Sequence, residues 1–253
     1  MTILEKIAEA KKSGTKVFDI KNEKLHILPV ELWELTELEE LIIDGNDLVD
    51  LPEEVGQLTN LKSLSLSEND LMSLPEEIGQ LAHLENLYVG YNFLTELPNS
   101  ISKLTKLNRL NVAKNSLVEL PKGLFEIKNL QKLSLHDNMI PAIPENIGNC
   151  TGLVKLYLDN NDIASIPSSI GDLSLLEEFV ISGNMIEEIP ESISGLENLK
   201  EIMLDDNQIK LLPAEIGHLK NLTLISLTGN KMKKAPTHMI REDLKIVFDK
   251  IDN

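Results

Sequence analysis

The sequence predicts an α/β solenoid, a stack of short units that share one core. Three observations predict it: an asparagine recurs every 23 residues without an insertion, a proline follows the same spacing, and apolar residues hold fixed positions around each asparagine. One unit of this size cannot bury its apolar face alone, so neighbouring units must stack and bury a continuous core. The recurring asparagines are Asn46, Asn69, Asn92, Asn115, Asn138, Asn161, Asn184, Asn207 and Asn230. The recurring prolines are Pro29, Pro52, Pro75, Pro98, Pro121, Pro144, Pro167, Pro190, Pro213 and Pro236.

Each repeat begins with a predicted strand. The residues five and three before the asparagine are apolar and those between them vary, as with Leu64 and Leu66 before Asn69. Alternation with a period of two is typical of a short strand with one buried face. The variable residues therefore point away from the core, where they are free to differ from repeat to repeat.

The asparagine and the proline mark the two bends of each repeat. The asparagine follows the strand, where its amide offers donors and an acceptor to backbone groups that the bend leaves unpaired, so we interpret the column as an internal structural ladder. The proline begins the opposite, convex side, where its fixed φ suits a turn or the start of a short helix. Glu53 and Glu54 after Pro52 agree with a helical turn, since carboxylates oppose its positive end.

The amino-terminal residues 1–14 depart from the repeat and predict a capping helix. Thr2 followed by Glu5 is a capping-box pattern, and Gly14 stands where a helix would stop. Residues 15–237 then contain ten 23-residue repeats, of which the first carries Glu23 at the asparagine position.

The carboxy-terminal residues 238–253 are predicted to form a second capping helix, because their apolar residues change to a helical spacing. Those residues are Ile240, Leu244, Val247, Phe248 and Ile251. With both ends covered, we expect residues 1–253 to be a single, self-contained domain.

Composition limits the function. A net charge of −17 argues against a nucleic-acid partner, because phosphates require lysine and arginine. The first dozen residues contain several charges and resemble no signal peptide, and no apolar run approaches the ~20 residues of a membrane span, so we expect a cytoplasmic protein without a membrane partner. Cys150, the single cysteine, stands at a core position, which predicts a buried apolar role and excludes an intramolecular disulfide.

Motifs for chemistry are few. The sequence has no phosphate-binding GxxxxGK[ST] loop, and its five histidines show no metal-ligand spacing, so we expect neither a cofactor nor a metal. Asp159 and Asp205 share a column two strands apart, about 10 Å at a strand spacing of ~4.8 Å, which leaves a hydrolase using these carboxylates as an alternative. An open solenoid face would not exclude water from such a pair, and we expect no catalytic residue.

The pattern LxxLxLxxNxLxxLPxxI, from Leu61 through Ile78, resembles the leucine-rich repeat family. The resemblance implies a curved, right-handed horseshoe with a parallel sheet on its concave side and partners bound there. The Leu-Pro variant followed by Glu-Glu-Ile-Gly-Gln-Leu at 76–81 is similar to arrays of Ras-pathway scaffolds, plant Ras-group proteins, Roco proteins and bacterial relatives. We therefore expect a non-enzymatic protein-interaction scaffold, in small-GTPase or other intracellular signalling, and we expect it to be a monomer. The alternative is a bacterial protein that acts in host or surface interaction.

Three consecutive basic residues, Arg109, Lys132 and Lys155, occupy one column of the concave face and would repel one another. They are open to two interpretations. Lys155 pairs with Glu178 on the next strand and the stripe is merely solvated, or the stripe meets an acidic segment of a protein partner beside rigid tyrosine side chains. The candidate partner-binding residues are Tyr88, Tyr91, Arg109, Asn111, Lys132, His136, Lys155, Tyr157, Asp159, Val180 and Met203.

Overall fold

The structure is a computed structural model that describes residues 1–233, 239 and 241–249, and it contains two compact units, Met1–Leu130 and Gln131–Asn253. In the first unit the strands are β1 (Val17–Asp19), β2 (Glu40–Ile42), β3 (Ser63–Ser65), β4 (Asn86–Tyr88) and β5 (Arg109–Asn111). In the second they are β6 (Lys132–Ser134), β7 (Lys155–Tyr157), β8 (Glu178–Val180), β9 (Glu201–Met203), β10 (Leu224–Ser226) and β11 (Lys245–Val247). Within each unit the strands pair in parallel in chain order. The predicted α/β solenoid is confirmed, whereas its behaviour as one domain stays a prediction.

The core is built from the alternation seen in the sequence. In β7, Leu156 is fully buried, while Lys155 and Tyr157 on either side of it face solvent. The apolar residues on the opposite side of each repeat, such as Ile170 and Leu173, are also fully buried. Each repeat thus buries its apolar side chains between the strand layer and the layer on its opposite side. Cys150 lies in this core, as its position in the repeat predicted.

The layer opposite the strands consists of short 3₁₀ helices. In the first unit they are Val30–Glu34, Glu53–Gln57, Glu76–Gln80, Asn99–Lys103 and Lys122–Glu126. In the second they are Glu145–Asn149, Ser168–Asp172, Glu191–Gly195 and Ala214–His218. The recurring proline stands immediately before each of these helices in an extended conformation. The Glu76 carboxylate accepts hydrogen bonds from the backbone N–H groups of Asn99 (3.1 Å) and Ser100 (2.9 Å), and so joins the start of the next repeat's helix.

The ladder asparagines join neighbouring repeats through buried hydrogen bonds. Asn161 donates from Nδ2 to the carbonyl oxygens of Leu158 in its own repeat (3.0 Å) and Leu135 in the preceding one (3.1 Å). Its Oδ1 accepts from the backbone N–H of Ile140 at 3.0 Å. One side chain therefore satisfies backbone groups on both sides of a repeat boundary that helices and strands leave unpaired.

The residue immediately before the ladder asparagine, or before Glu23 in the first repeat, adopts a left-handed backbone conformation that was not predicted from the sequence. Three repeats have glycine at this position, whereas the others have a residue with a side chain in the same left-handed backbone conformation. The glycines are Gly45, Gly183 and Gly229. The other residues with positive φ at this position are Asn22, Glu68, Tyr91, Lys114, Asp137, Asn160 and Asp206.

We expect the Glu68→Gly substitution to raise the free energy of unfolding by about 0.5–1 kcal/mol, because Glu68 is exposed and has a φ of 57°. The reverse change, Gly183→Ala, is expected to lower it by about 1–2 kcal/mol, since a Cβ there lies 2.4 Å from Oδ1 of Asn160 at a φ of 64°. Urea denaturation of both variants measures the difference. A destabilised Glu68→Gly protein would contradict the backbone argument.

The predicted amino-terminal helix is present as α1 (Ile3–Ser13). Thr2 and Glu5 form the reciprocal capping box, and Gly14 ends the helix in the left-handed conformation. Ile7 and Ala10 are its buried residues, so one face of α1 packs on the first repeat. That the helix protects the end of the array stays a prediction.

The predicted carboxy-terminal helix is wrong over residues 241–249. Lys245–Val247 instead form β11, which pairs in parallel with β10. The physical reason is the open edge of β10: the N–H of Leu227 donates to the carbonyl of Val247 at 2.8 Å, and the N–H of Lys245 donates to the carbonyl of Thr223 at 2.9 Å. Satisfying that edge outweighs the helical spacing of the apolar residues. The predicted cap's residues 238, 240 and 250–253 lie outside the described residues.

Candidate functional site

The candidate residues lie on the solvent-facing side of the strands and in the loops that follow them, which we call the strand face. In the first unit Tyr88 on β4 is the register partner of Asn111 on β5. The Asn111 side chain turns into its own loop, where Oδ1 accepts from the N–H of Ala113 at 3.0 Å. Arg109 is exposed and has no ion-pair partner in the part of the chain that the structure describes.

Tyr91 lies in the loop after β4, where its side chain is exposed and its backbone adopts an unfavourable left-handed conformation. Its backbone φ is 57°, a conformation that a bulky residue rarely adopts, and 52% of its surface is exposed. The Lys114 ammonium lies 4.6 Å from the centre of its ring, a cation–π contact. The ring stays exposed to solvent despite its contact with Lys114.

In the second unit, Lys132 and Lys155 are register partners on β6 and β7, and each has a compensating contact. Lys155 Nζ lies 2.7 Å from Oε2 of Glu178, which is the ion pair predicted by one interpretation of the stripe. Lys132 Nζ lies 5.1 Å from the centre of the Tyr157 ring. The charge of Lys155 is therefore compensated within the protein, whereas Lys132 keeps its charge beside a neutral ring. Binding of an acidic segment by the stripe stays a prediction.

The pKa values around Tyr157 reflect this network. Partial burial and the Glu178 carboxylate raise the pKa of the Tyr157 hydroxyl to about 12. Burial alone would raise the pKa of Glu178, but hydrogen bonds with Lys155 and Tyr157 and the lysine charge lower it overall. The bond to Glu178 also raises the pKa of Lys155. All three groups thus keep one charge state, with Lys155 and Glu178 ionised and Tyr157 neutral, throughout the physiological range.

An apolar row crosses the strand face of the second unit. Tyr157, Val180 and Met203 are register partners on β7, β8 and β9, and each is half-buried. Side chains two residues apart on a strand share a face, so each residue of the row is flanked by the residues two before and two after it. We call the three row residues and their six flanking residues the central grid. They are Lys155, Tyr157 and Asp159 on or after β7, Glu178, Val180 and Ser182 on or after β8, and Glu201, Met203 and Asp205 on or after β9.

The hydrolase alternative depended on Asp205, whose carboxylate already has a structural role. Its Oδ1 accepts from Ser226 Oγ at 2.6 Å and from the backbone N–H and hydroxyl of Thr228 at 2.8 and 2.6 Å. Asp44 makes the same bridge to Ser65 Oγ (2.6 Å) in the first unit. These aspartates fasten one repeat to the next, which is a reason for their presence other than catalysis.

His136 and Asp159 follow β6 and β7. His136 Nδ1 lies 2.9 Å from Oδ2 of Asp137, whose Oδ1 accepts from Asn160 Nδ2 at 2.8 Å. The described residues contain no group of three or more acidic, histidine or cysteine side chains suited to a metal ion. No helix among them has the length and apolar character to cross a membrane.

A family model described as leucine-rich repeat region matches residues 53–159 and 142–245. Among solved structures, the chain is similar to the ectodomain of the Arabidopsis thaliana membrane receptor kinase GASSHO1/SCHENGEN3, in complex with CASPARIAN STRIP INTEGRITY FACTOR 2 (30% identity, TM-score 0.81). That match covers 92% of this chain, which spans only 29% of the ectodomain.

Two bacterial structures are also similar. A leucine-rich repeat protein of Leptospira interrogans is 27% identical with a TM-score of 0.60, covering 95% of this chain and 80% of that one. The functional domain of InlJ from Listeria monocytogenes is 22% identical with a TM-score of 0.69, covering 92% and 52%, and supports the fold alone. No curated protein sequence matches the chain.

Proposed function

The chain belongs to the leucine-rich repeat family, and from that premise we propose that it is a non-enzymatic scaffold that holds a protein partner on its strand face. The observation that carries the proposal is the apolar row of Tyr157, Val180 and Met203. These side chains point away from the core, so folding does not require them to be apolar. Half-exposed aromatic and apolar side chains in one row are typical of the centre of a protein interface.

The first unit supports the same proposal with different residues. Tyr91 keeps an exposed ring in a strained conformation, and Tyr88 adds a second aromatic side chain on β4. The other described repeats bend through the same left-handed position, so the exposed aromatic ring, and not the backbone conformation, is the reason to infer a role in binding. The receptor ectodomain to which the chain is similar also has a bound factor, which agrees with this use of the fold.

We propose an intracellular setting, in small-GTPase or other signalling, for a monomer that binds neither nucleic acid nor membrane. Its support is the Leu-Pro repeat type, the single cysteine and the net charge of −17. A bacterial protein acting in host or surface interaction is the second candidate, and the similarity to the Leptospira protein agrees with a bacterial setting. Locating the protein by cell fractionation separates the two.

We expect a strand-face variant, Tyr88→Ser with Tyr157→Ser and Met203→Ser, to lose its protein partner while its circular dichroism spectrum stays unchanged. The three side chains lie outside the core. Tyr157→Ser also removes the contact of its ring with Lys132 and the hydrogen bond of its hydroxyl with Glu178, but these contacts lie on the strand face and not in the core. The measurement is affinity capture with quantitative mass spectrometry, comparing this variant with the wild type. The control variant, Glu53→Gln with Glu54→Gln, lies on the opposite layer and should retain every partner. A partner that binds the strand-face variant as well as the wild type would contradict the proposal.

A further inference from the structure

Asp159 differs from the other aspartates in its column, because its carboxylate lacks the bridge to the next repeat. Asp44 and Asp205 each accept from the hydroxyl of the serine 21 residues later, Ser65 and Ser226. The residue 21 positions after Asp159 is Val180, which has no hydroxyl. Among the described residues, no side chain or backbone group of another residue donates a hydrogen bond to the Asp159 carboxylate.

The surroundings of Asp159 make this open position costly. Burial raises the pKa of Asp159, and the charge of Asp137 acts in the same direction, while the His136 charge acts against them. His136 itself is engaged by Asp137 through Nδ1. Among the described residues, the one hydrogen-bond donor to the Asp159 carboxylate is its own backbone N–H, which lowers its pKa. A half-buried carboxylate with so little donation is less stable than one that a neighbouring repeat also hydrogen-bonds, so an external cationic donor would find a favourable place there.

The charge of the central grid favours the same kind of donor. It contains one lysine against four carboxylates, a formal charge of −3, and Lys155 is already paired with Glu178. Glu201, the register partner of Glu178, has no hydrogen-bond or ion-pair partner for its side chain among the described residues. The apolar row therefore lies between two edges that carry unpaired negative charge, Glu201 on one side and Asp159 on the other.

We propose that the central grid binds an extended, cationic segment of a protein partner, in which a lysine or arginine meets Asp159 and an adjacent apolar side chain packs on Val180 and Met203. The proposal rests on the proposed function and specifies the chemistry of the partner. In an extended segment, side chains two residues apart are separated by about 6.6 Å. The same distance separates a residue of the apolar row from the carboxylate two residues along its strand, so one segment can contact both. The ammonium or guanidinium supplies the donor that Val180 cannot.

The contacts in the second unit favour a cationic segment over the acidic one that the basic stripe predicts. Lys155 is paired with Glu178, and Lys132, although exposed, lies over the Tyr157 ring. Both cations of the stripe in the second unit therefore already have a contact, whereas no other described residue donates a hydrogen bond to the Asp159 carboxylate. Arg109 belongs to the first unit and is not part of the grid. An acidic segment remains the competing occupant, and the experiment distinguishes the two.

The test uses three synthetic peptides of about twelve residues, titrated calorimetrically at ~0.15 M salt, where long-range attraction is screened. One alternates lysine or arginine with leucine, the second replaces the basic residues by glutamate, and the third by glutamine. We expect only the cationic peptide to bind the wild type. Asp159→Asn should weaken this binding about 10-fold, whereas Asp44→Asn, which removes a charge from the corresponding position of the first unit but keeps an acceptor for Ser65, should change it less than about 2-fold.

Three results would overturn the inference. Binding of the acidic peptide in preference to the cationic one would show that the partner segment is acidic, and equal losses in Asp159→Asn and Asp44→Asn would show attraction by net charge alone. Failure of every peptide, combined with partner capture that still depends on Tyr157 and Met203, would refute the cationic segment and leave the proposed function standing. Partner capture that ignores the strand-face residues would instead refute the proposed function itself.

Discussion

Replacing Asn161 by alanine is expected to lower the free energy of unfolding by about 2–3 kcal/mol. The substitution removes the donors to Leu135 and Leu158 and the acceptor for Ile140, all at buried positions. A buried backbone group left without its partner costs about 1–3 kcal/mol, and water cannot enter the closed repeat boundary without further disruption. Because the free energy of unfolding of a typical domain is only ~5–15 kcal/mol, the effect is large enough for chemical denaturation to measure.

A second asparagine provides the matched control. Asn198 donates from Nδ2 to the carbonyl oxygen of Ser174 at 2.8 Å, so it also joins two repeats, but this contact is exposed to solvent. Water replaces the lost donor there, and Asn198→Ala should cost no more than about 0.5 kcal/mol. Equal destabilisation of the two variants would show that burial of the ladder is not what gives it its strength.

The sequence predicts the repeated architecture well because one physical constraint acts in every repeat. Each strand must bury one residue such as Leu156 between neighbours, and each bend must satisfy its backbone groups, so the same residue types recur at the same spacing. The constraint relaxes at the ends of the array. There the pattern of Leu244, Val247 and Phe248 favoured a helix, while the unpaired edge of β10 selected a strand.

The left-handed position before each ladder asparagine was also within reach of the sequence. Gly45, Gly183 and Gly229 recur at one position of the repeat, and a recurring glycine indicates a positive φ. Tyr91 and Glu68 conceal the signal because they occupy the same backbone conformation at a cost. Side-chain identity alone does not reveal which residues tolerate such strain.

The candidate site was only partly predictable. The columns identified which side chains face solvent, and the Lys155–Glu178 pair followed from their adjacency. The unpartnered state of Asp159 did not follow, because it depends on hydrogen-bond geometry with a residue 21 positions later. The comparison that reveals it is between repeats: Asp44 and Asp205 have a serine at that distance, and Asp159 has Val180.

Deleting residues 1–13 is expected to cause the largest loss of stability and to make the protein associate. Helix α1 buries Ile7 and Ala10 against the first repeat, and Lys6 and Lys11 form ion pairs with Glu23 and Glu34. Without α1 the end of the core would be exposed over several hundred Å² of mainly apolar surface, which at roughly 25 cal/mol per Å² amounts to several kcal/mol. Hydrogen exchange should show the greatest loss of protection in the repeat that contains β1 and the smallest loss in the repeats of the second unit, because each repeat is stabilised mainly by its direct neighbours.

The control, Lys11→Gln, removes only an exposed ion pair and should leave both the exchange pattern and the sedimentation behaviour unchanged. A truncated protein that stays monomeric, with β1 as protected as in the full chain, would show that α1 is not a cap.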